Sequence, residues 1–94
     1  MPLFVLTCID KPGALDKRMA AREAHLAYVR GSGVARLGGP FLDEAGGMAG
    51  SMLIIEADDL AAAKAFSAAD PYLTAGVFEH VDVREFKVTL GELG

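Results

Sequence analysis

The stretch "SAADPYLTAGVFEHVDVREF", residues 67–86, contains the junction that decides how the second half of the chain folds. A helical pattern before it ends at Asp70-Pro71, because proline disfavours helical geometry in the residue that precedes it. Residues 77–88 then alternate apolar and polar side chains, which is typical of a β-strand. The stretch therefore predicts a helix that ends at Asp-Pro-Tyr and leads into the last strand.

Elements upstream of this junction follow from the same kinds of pattern. Strands are predicted at residues 3–9, 34–41 and 51–57, with a glycine-rich loop at 42–50. A helix is predicted from about residue 14 to residue 30, and a second one follows Asp58-Asp59, either of which can cap it. The order β-α-β-β-α-β predicts an α+β, ferredoxin-like antiparallel sheet with two helices on one face.

Composition predicts one small domain that packs against a second copy of itself. The chain has 94 residues, of which 52% are hydrophobic, and this length corresponds to a single domain. The first strand is apolar on both faces, with Leu3 and Val5 on one and Phe4, Leu6 and Cys8 on the other. Two helices can cover only one of these faces, so we predict a homodimer formed through the open face.

Several classes of function are excluded at this level. The net charge is −4 and there is no run of lysine or arginine, so no nucleic-acid partner is expected. No segment resembles a signal peptide or a membrane span, and the lone Cys8 fits a reducing compartment, so we expect a cytoplasmic protein without a membrane partner.

The glycine-rich motifs lack the dinucleotide and phosphate-loop patterns, and the two histidines are not paired. We therefore predict neither a metal nor an organic cofactor.

The first predicted helix places basic residues beside its apolar stripe. That stripe is formed by Leu15, Met19, Leu26 and Val29. Arg22 falls within it, Arg18 lies about 40° away and His25 about 60° away on the same side. The two arginines could rest their stems on the core with their charges in water. Alternatively, the three residues form a basic notch able to hold a carboxylate or a phenolate.

His25 is a candidate general acid or base, because an unperturbed histidine titrates near ~6.5. Such a role requires an orienting carboxylate, and Asp70 is the candidate. An aspartate at a helix C-terminus opposes the helix dipole unless a cation lies nearby. The alternatives are a histidine bonded to a backbone carbonyl and a simple Asp-Pro turn. Tyr72 could add a hydroxyl to the same site.

The last strand divides by parity into two faces. Val77, Val81 and Val83 are predicted to pack under the helices. The other face carries Phe78, His80, Asp82, Arg84 and Phe86, and is predicted to face the dimer cavity or solvent. The charged residues of that face could be cross-strand pairs, whereas His80 is a candidate ligand-binding residue.

The chain resembles the YciI-like family, on the segments "KRMAAREAHLAYV", "GGPF", "GSMLIIEADDLAAAKAF" and "ADPYLTAGVFEHVDVREF". The resemblance implies one YciI-like domain over residues 1–94 that forms a dimeric α/β barrel. It also implies an active site centred on His25 and Asp70. One family relative removes chloride from a chlorinated hydroxyhydroquinone, and muconolactone isomerases share the wider superfamily.

Two functions of different classes follow. The first is a small cofactor-independent enzyme of lyase or isomerase type, in which His25 moves a proton on a small anionic, possibly aromatic, substrate. Asp70 would fix the tautomer of His25, and Arg22, with Arg18 behind it, would hold the negative charge. The second is a non-catalytic dimeric module that binds a small ligand or serves as an accessory subunit. Haem binding through His25 or His80 is a third alternative.

Overall fold

Four antiparallel strands and three helices make up residues 1–93, which the computed structural model of the chain describes. The elements are β1 (Leu3–Asp10), α1 (Leu15–Ser32), β2 (Ala35–Leu42), β3 (Met48–Glu56), α2 (Leu60–Ala68), α3 (Pro71–Thr74) and β4 (Phe78–Phe86). The strand order in the sheet is β2-β3-β1-β4, and all neighbours are antiparallel. The predicted ferredoxin-like fold is confirmed, and the four-residue helix α3 is an addition to it.

The core lies between the helices and one face of the sheet. Side chains alternate across a strand, so Phe4, Leu6 and Cys8 of β1 share this face with Leu53 and Ile55 of β3, and all five are at most 5% exposed. The helices and the segment before β4 complete the core with Val29, Ala63, Tyr72 and Val77.

The opposite face of the sheet is also apolar, as predicted. Leu3, Val5 and Met52 are half-buried there. Larger apolar side chains stand further out, with Ile9 43% and Phe86 43% exposed. None of the helices covers this face, so a single chain leaves it open.

The predicted apolar stripe of α1 is wrong in its first half, where Leu15 and Met19 are 47% and 50% exposed. In its second half Val29 is buried and Leu26 is half-buried, as predicted, and the other buried residues of the helix are Arg18 and His25. Hydropathy placed these two at the edge of the buried face because it takes no account of the carboxylates outside the helix with which they pair. Arg22, predicted to lie within the buried stripe, is exposed in the single chain.

Within residues 1–93, no helix is long and apolar enough to cross a membrane.

The junction after α2 differs from the prediction. Asp59 caps α2 as expected, accepting a hydrogen bond from the Ala62 amide. Asp70, however, does not lie at an unfavourable helix C-terminus: it is the N-cap of α3, with Pro71 as the first helical residue. A carboxylate at a helix N-terminus is favourable, so the argument from dipole repulsion was wrong, although Asp70 does contact His25.

A β-bulge changes the predicted parity at the start of β4. Ile9 pairs with His80, but Asp10 pairs with Phe78, so one extra residue is inserted into β4. Phe78 therefore packs in the core, 5% exposed, instead of on the open face. Beyond the bulge the prediction holds: His80 lies on the face of Ile9, away from the helices.

The hairpin between β2 and β3 is tighter than the predicted loop at 42–50. The strands extend into it, and the carboxylate of Asp43 accepts hydrogen bonds from the amides of Ala45 and Gly47 to close the turn. Pro40 lies within β2. A proline is tolerated there because β2 is an edge strand, on which an N–H group that points away from the sheet has no partner strand.

Candidate active site

A buried histidine–carboxylate pair joins α1 to α3. Nδ1 of His25 lies 2.8 Å from Oδ1 of Asp70, and the two side chains are 8% and 4% exposed. The residues are 45 positions apart in sequence, so the pair exists only in the folded chain. An ionised carboxylate can only accept hydrogen bonds, which assigns the proton to Nδ1 and leaves Nε2 as the basic nitrogen.

The same carboxylate oxygen also holds α3 in place. Oδ1 of Asp70 accepts a second hydrogen bond from the backbone amide of Tyr72, at 2.8 Å. Proline at the first helical position fixes the backbone for this turn. Asp70 is therefore held by the cap on one side and orients the imidazole of His25 on the other.

Tyr72 packs between the two basic side chains of α1. Its ring stacks on that of His25 with centroids 3.8 Å apart and planes 11° from parallel. The guanidinium carbon of Arg18 lies 4.6 Å from the Tyr72 ring centroid. Burial raises the pKa of Tyr72, with the charges of Arg18 and Arg22 acting in the opposite direction. The hydroxyl of Tyr72 is therefore kept protonated and close to positive charge.

Arg18 is anchored inside the fold. Its Nε and Nη2 donate to the two carboxylate oxygens of Asp10 at 2.7 and 2.8 Å, and Nη2 also donates to the Ser51 hydroxyl at 2.9 Å. Burial disfavours the charged guanidinium, but Asp10 outweighs this and leaves the pKa of Arg18 above its usual value. Three of the five N–H donors that an arginine carries are thus used internally.

A cavity of about 330 Å³ opens beside these groups, between α1 and the β2–β3 side of the sheet. His25 and Tyr72 line it, as do four arginines: Arg18, Arg22, Arg30 and Arg36. Nε2 of His25 accepts from no group within residues 1–93, and no buried side-chain nitrogen or oxygen of that part of the chain is left unpaired. Nε2 is therefore the imidazole atom available to a ligand in the cavity.

The comparisons with known proteins agree with this architecture. The family model described as "YCII-related domain" matches residues 2–87. Protein YciI of Escherichia coli O6:H1 is 42% identical over 94 residues, covering 90% of this chain and 96% of that protein. An uncharacterized protein of Haemophilus influenzae is 37% identical over 93 residues, covering 89% and 95%. The chain belongs to the YCII-related family.

A solved structure of an enzyme is also similar. It is 5-chloro-2-hydroxyhydroquinone dehydrochlorinase from Burkholderia phenoliruptrix AC1100, in complex with 2,5-dihydroxybenzoquinone. That chain is 34% identical, with a TM-score of 0.82 over 90% of this chain and 93% of its own length. The similarity extends over nearly the whole YCII-related domain.

The structure brings together most of the residues singled out from the sequence. Arg18, Arg22, His25 and Tyr72 line one cavity, and Asp70 lies directly behind His25. His80 is not among them: it is exposed on the far face of the sheet, because β4 points that side chain away from the helices. Its predicted role in binding the same ligand therefore has no support within one chain.

Three residues at or behind the cavity were not predicted from the sequence: Asp10, Ser51 and Arg30. Asp10 and Ser51, the partners of Arg18, carry no signal in the spacing of the chain. Arg30 could have been found, because it lies two helical turns after Arg22 and so shares its side of α1.

No group of three His, Cys, Asp or Glu side chains within residues 1–93 is arranged to hold a metal ion.

Cys8 lies beneath this site and gives a test of stability at high pH. Burial, and next the charge of Asp70, raise its pKa from the ordinary 9.0 to about 12. Because the folded pKa is above the unfolded one, the thiol stabilises the fold below pH 9 and loses this contribution as the pH rises to about 12. We expect the free energy of unfolding to fall by about 2–4 kcal/mol more over this range in the wild type than in Cys8→Ala.

Denaturant melts between pH 8 and pH 12 would measure this difference. Burial also raises the pKa values of Tyr28 and Tyr72. Both tyrosines are present in the wild type and in the variant, so their contributions to the pH dependence cancel in the difference. Parallel curves for the two proteins would contradict the assignment to Cys8.

Proposed function

We propose that this chain is a small cytoplasmic enzyme, folded as one domain, that transfers a proton on a small anionic and planar substrate without a cofactor. The observation that carries the proposal is the buried His25–Asp70 pair, with the free ring nitrogen at a cavity. A histidine so oriented is the most frequent general acid and base in enzymes.

The chemistry of the pair follows from its geometry. Asp70 accepts a hydrogen bond from Nδ1–H of His25 and so holds the ring in the tautomer whose Nε2 can take a proton from a substrate. When the imidazole becomes charged, the carboxylate at 2.8 Å stabilises it. Arg22 would bind the substrate's negative charge, since it is exposed at the cavity and pairs with no carboxylate in residues 1–93. Arg18 would influence the substrate indirectly, through the Tyr72 ring against which its guanidinium packs.

The similarity to the dehydrochlorinase supports a hydroxylated ring as the substrate and an elimination as the reaction class. Loss of hydrogen chloride from such a ring requires a base for the proton, while chloride leaves with the bonding electrons. No oxidant is needed, and Nε2 of His25 is the base in this proposal. The cavity residues Arg22 and Tyr72 would face the ring oxygens.

The test is an assay of chloride release from 5-chloro-2-hydroxyhydroquinone, with and without the protein. Release above the buffer rate by the wild type, and not by His25→Gln, supports the proposal. Equal rates with the two proteins contradict it. If 2,5-dihydroxybenzoquinone binds equally well to both proteins and neither releases chloride, the chain is instead the non-catalytic ligand-binding module.

We also propose that the working form is a homodimer formed through the open face of the sheet. Ile9, Leu37, Phe41 and Phe86 present large apolar side chains there, each 38–50% exposed. Exposed apolar surface of this extent on a small domain marks an interface. Sedimentation equilibrium should give twice the 9.9 kDa of the chain, and a monomer at micromolar concentration would contradict this.

A further inference from the structure

The arginines of this chain are unevenly distributed. The sequence has five, and Arg18, Arg22, Arg30 and Arg36 all line the one cavity, while Arg84 lies on the open face of the sheet. No lysine and no carboxylate of residues 1–93 lines that cavity, although the chain has thirteen acidic residues and a net charge of −4. The cavity is therefore a positive site on a negative protein.

Two of these arginines are neutralised and two are not. Arg18 pairs with Asp10, and Arg36 pairs with Glu56. Arg22 and Arg30 form no ion pair with any carboxylate of residues 1–93. Because guanidinium groups bind carboxylates and other oxyanions in a bidentate manner, the cavity offers two separate positions for negative charge.

These two positions lie at opposite ends of the cavity. Arg22, Leu26 and Arg30 follow one another at four-residue intervals along α1, so Arg22 and Arg30 are about 12 Å apart along the helix axis. His25 follows Arg22 by three residues and Tyr72 stacks on His25, and we call this end of the cavity the inner end. Arg30 lies near the C-terminus of α1 and Arg36 at the start of β2, the next element, and we call their end the outer end.

The wall opposite α1 favours a flat ligand. It is formed by residues 38–40 of β2, two glycines and a proline. A side chain at Gly38 would collide with Leu53, so the strand lies directly against the core at this point. The cavity between the two ends is thus bounded by the β2 backbone and Leu53 on one side and by the apolar Leu26 and Val29 on the other.

We propose that the cavity binds an elongated, planar dianion, with the reacting end at Arg22 and His25 and a second carboxylate held by Arg30 at the outer end. The proposal rests on the proposed function in one respect, namely that this cavity is the substrate site. The proposal adds a second anionic group to the substrate, and it assigns the binding of that second group to Arg30.

The test compares two rigid ligands of the same shape by titration calorimetry. Naphthalene-2,6-dicarboxylate carries a carboxylate at each end, and 6-carbamoyl-2-naphthoate replaces one of them by a neutral amide. We expect the wild type to bind the dianion about tenfold more tightly, which is the effect of one charge-assisted contact. Arg30→Gln should remove this preference and leave the affinity for the half-amide within about twofold.

Lys17→Gln is the control, because it removes a positive charge of α1 that lies outside the cavity, from an exposed side chain that forms no ion pair within residues 1–93. It should keep the full preference for the dianion. The proposal is overturned if the wild type binds both ligands equally, if neither binds at millimolar concentration, or if Lys17→Gln acts like Arg30→Gln. These outcomes do not depend on turnover, so a failed chloride-release assay would count against the proposed reaction alone.

Discussion

Asp10→Ala is expected to lower the free energy of unfolding by about 3–5 kcal/mol, because it leaves the guanidinium of Arg18 buried without its counterion. The side chains of Arg18 and Asp10 are only 2% and 6% exposed. A domain has about 5–15 kcal/mol of stability in total. In a domain of this size the Tm falls by roughly 4–8 °C per kcal/mol, so a calorimetric scan should show a drop of at least about 12 °C.

The chain contains its own control for this prediction. Asp16 is exposed in the first turn of α1, away from the open face of the sheet, and pairs with no cation within residues 1–93, so Asp16→Ala should cost no more than about 1 kcal/mol. Replacing both buried partners, in Asp10→Ala/Arg18→Met, should recover most of the loss because no charge is then left buried. Similar losses for Asp10→Ala and Asp16→Ala would show that the buried pair does not stabilise the fold.

His25→Gln is expected to reduce kcat in the chloride-release assay by about 10²–10⁴-fold, which is the usual contribution of a general base. Glutamine can still donate a hydrogen bond to Asp70, but it has no nitrogen able to accept a proton. The KM should change much less, because the arginines that would bind the anion remain. A variant that retains wild-type kcat would remove His25 from the mechanism.

Asp70→Asn separates the two roles of the carboxylate. The amide oxygen of asparagine can still accept from Nδ1 of His25 and from the Tyr72 amide, but it carries no charge. We expect the stability to change by no more than about 1 kcal/mol, as for a replaced capping residue, whereas kcat should fall because the imidazolium is no longer stabilised. A variant as active as the wild type would show that Asp70 only positions the ring.

The order of elements was predictable because each one has a local pattern. The alternation in β4, the capping Asp59 and the apolar residues on both faces of β1 all reflect neighbours within a few positions of the chain. The helix α3 was not predicted, since four residues are too few for a helical period to show. The bulge at the start of β4 was missed for a similar reason: one inserted residue leaves the composition of the strand unchanged.

The site was only partly predictable because its contacts join distant positions. His25 and Asp70 were paired on chemical grounds and by resemblance, and the structure places them 2.8 Å apart. The burial of Arg18 could not be deduced, because it depends on Asp10 and Ser51, which lie 8 and 33 positions away. A hydropathy pattern assigns arginine to the surface, so the predicted buried face of α1 was centred on Leu15 and Met19 instead of Arg18 and His25, and it agrees with the observed face only at Leu26 and Val29.

The two hydrogen bonds that meet at Oδ1 of Asp70 make the backbone of α3 a reporter of the site. The Tyr72 amide can exchange its hydrogen with solvent only when its hydrogen bond to that oxygen breaks, and a movement of the Asp70 side chain that breaks this bond also breaks the one to His25. Amide exchange occurs through such local openings. The exchange rate of this one amide therefore reports on openings of the His25–Asp70 pair, and a ligand that holds His25 in place should slow it.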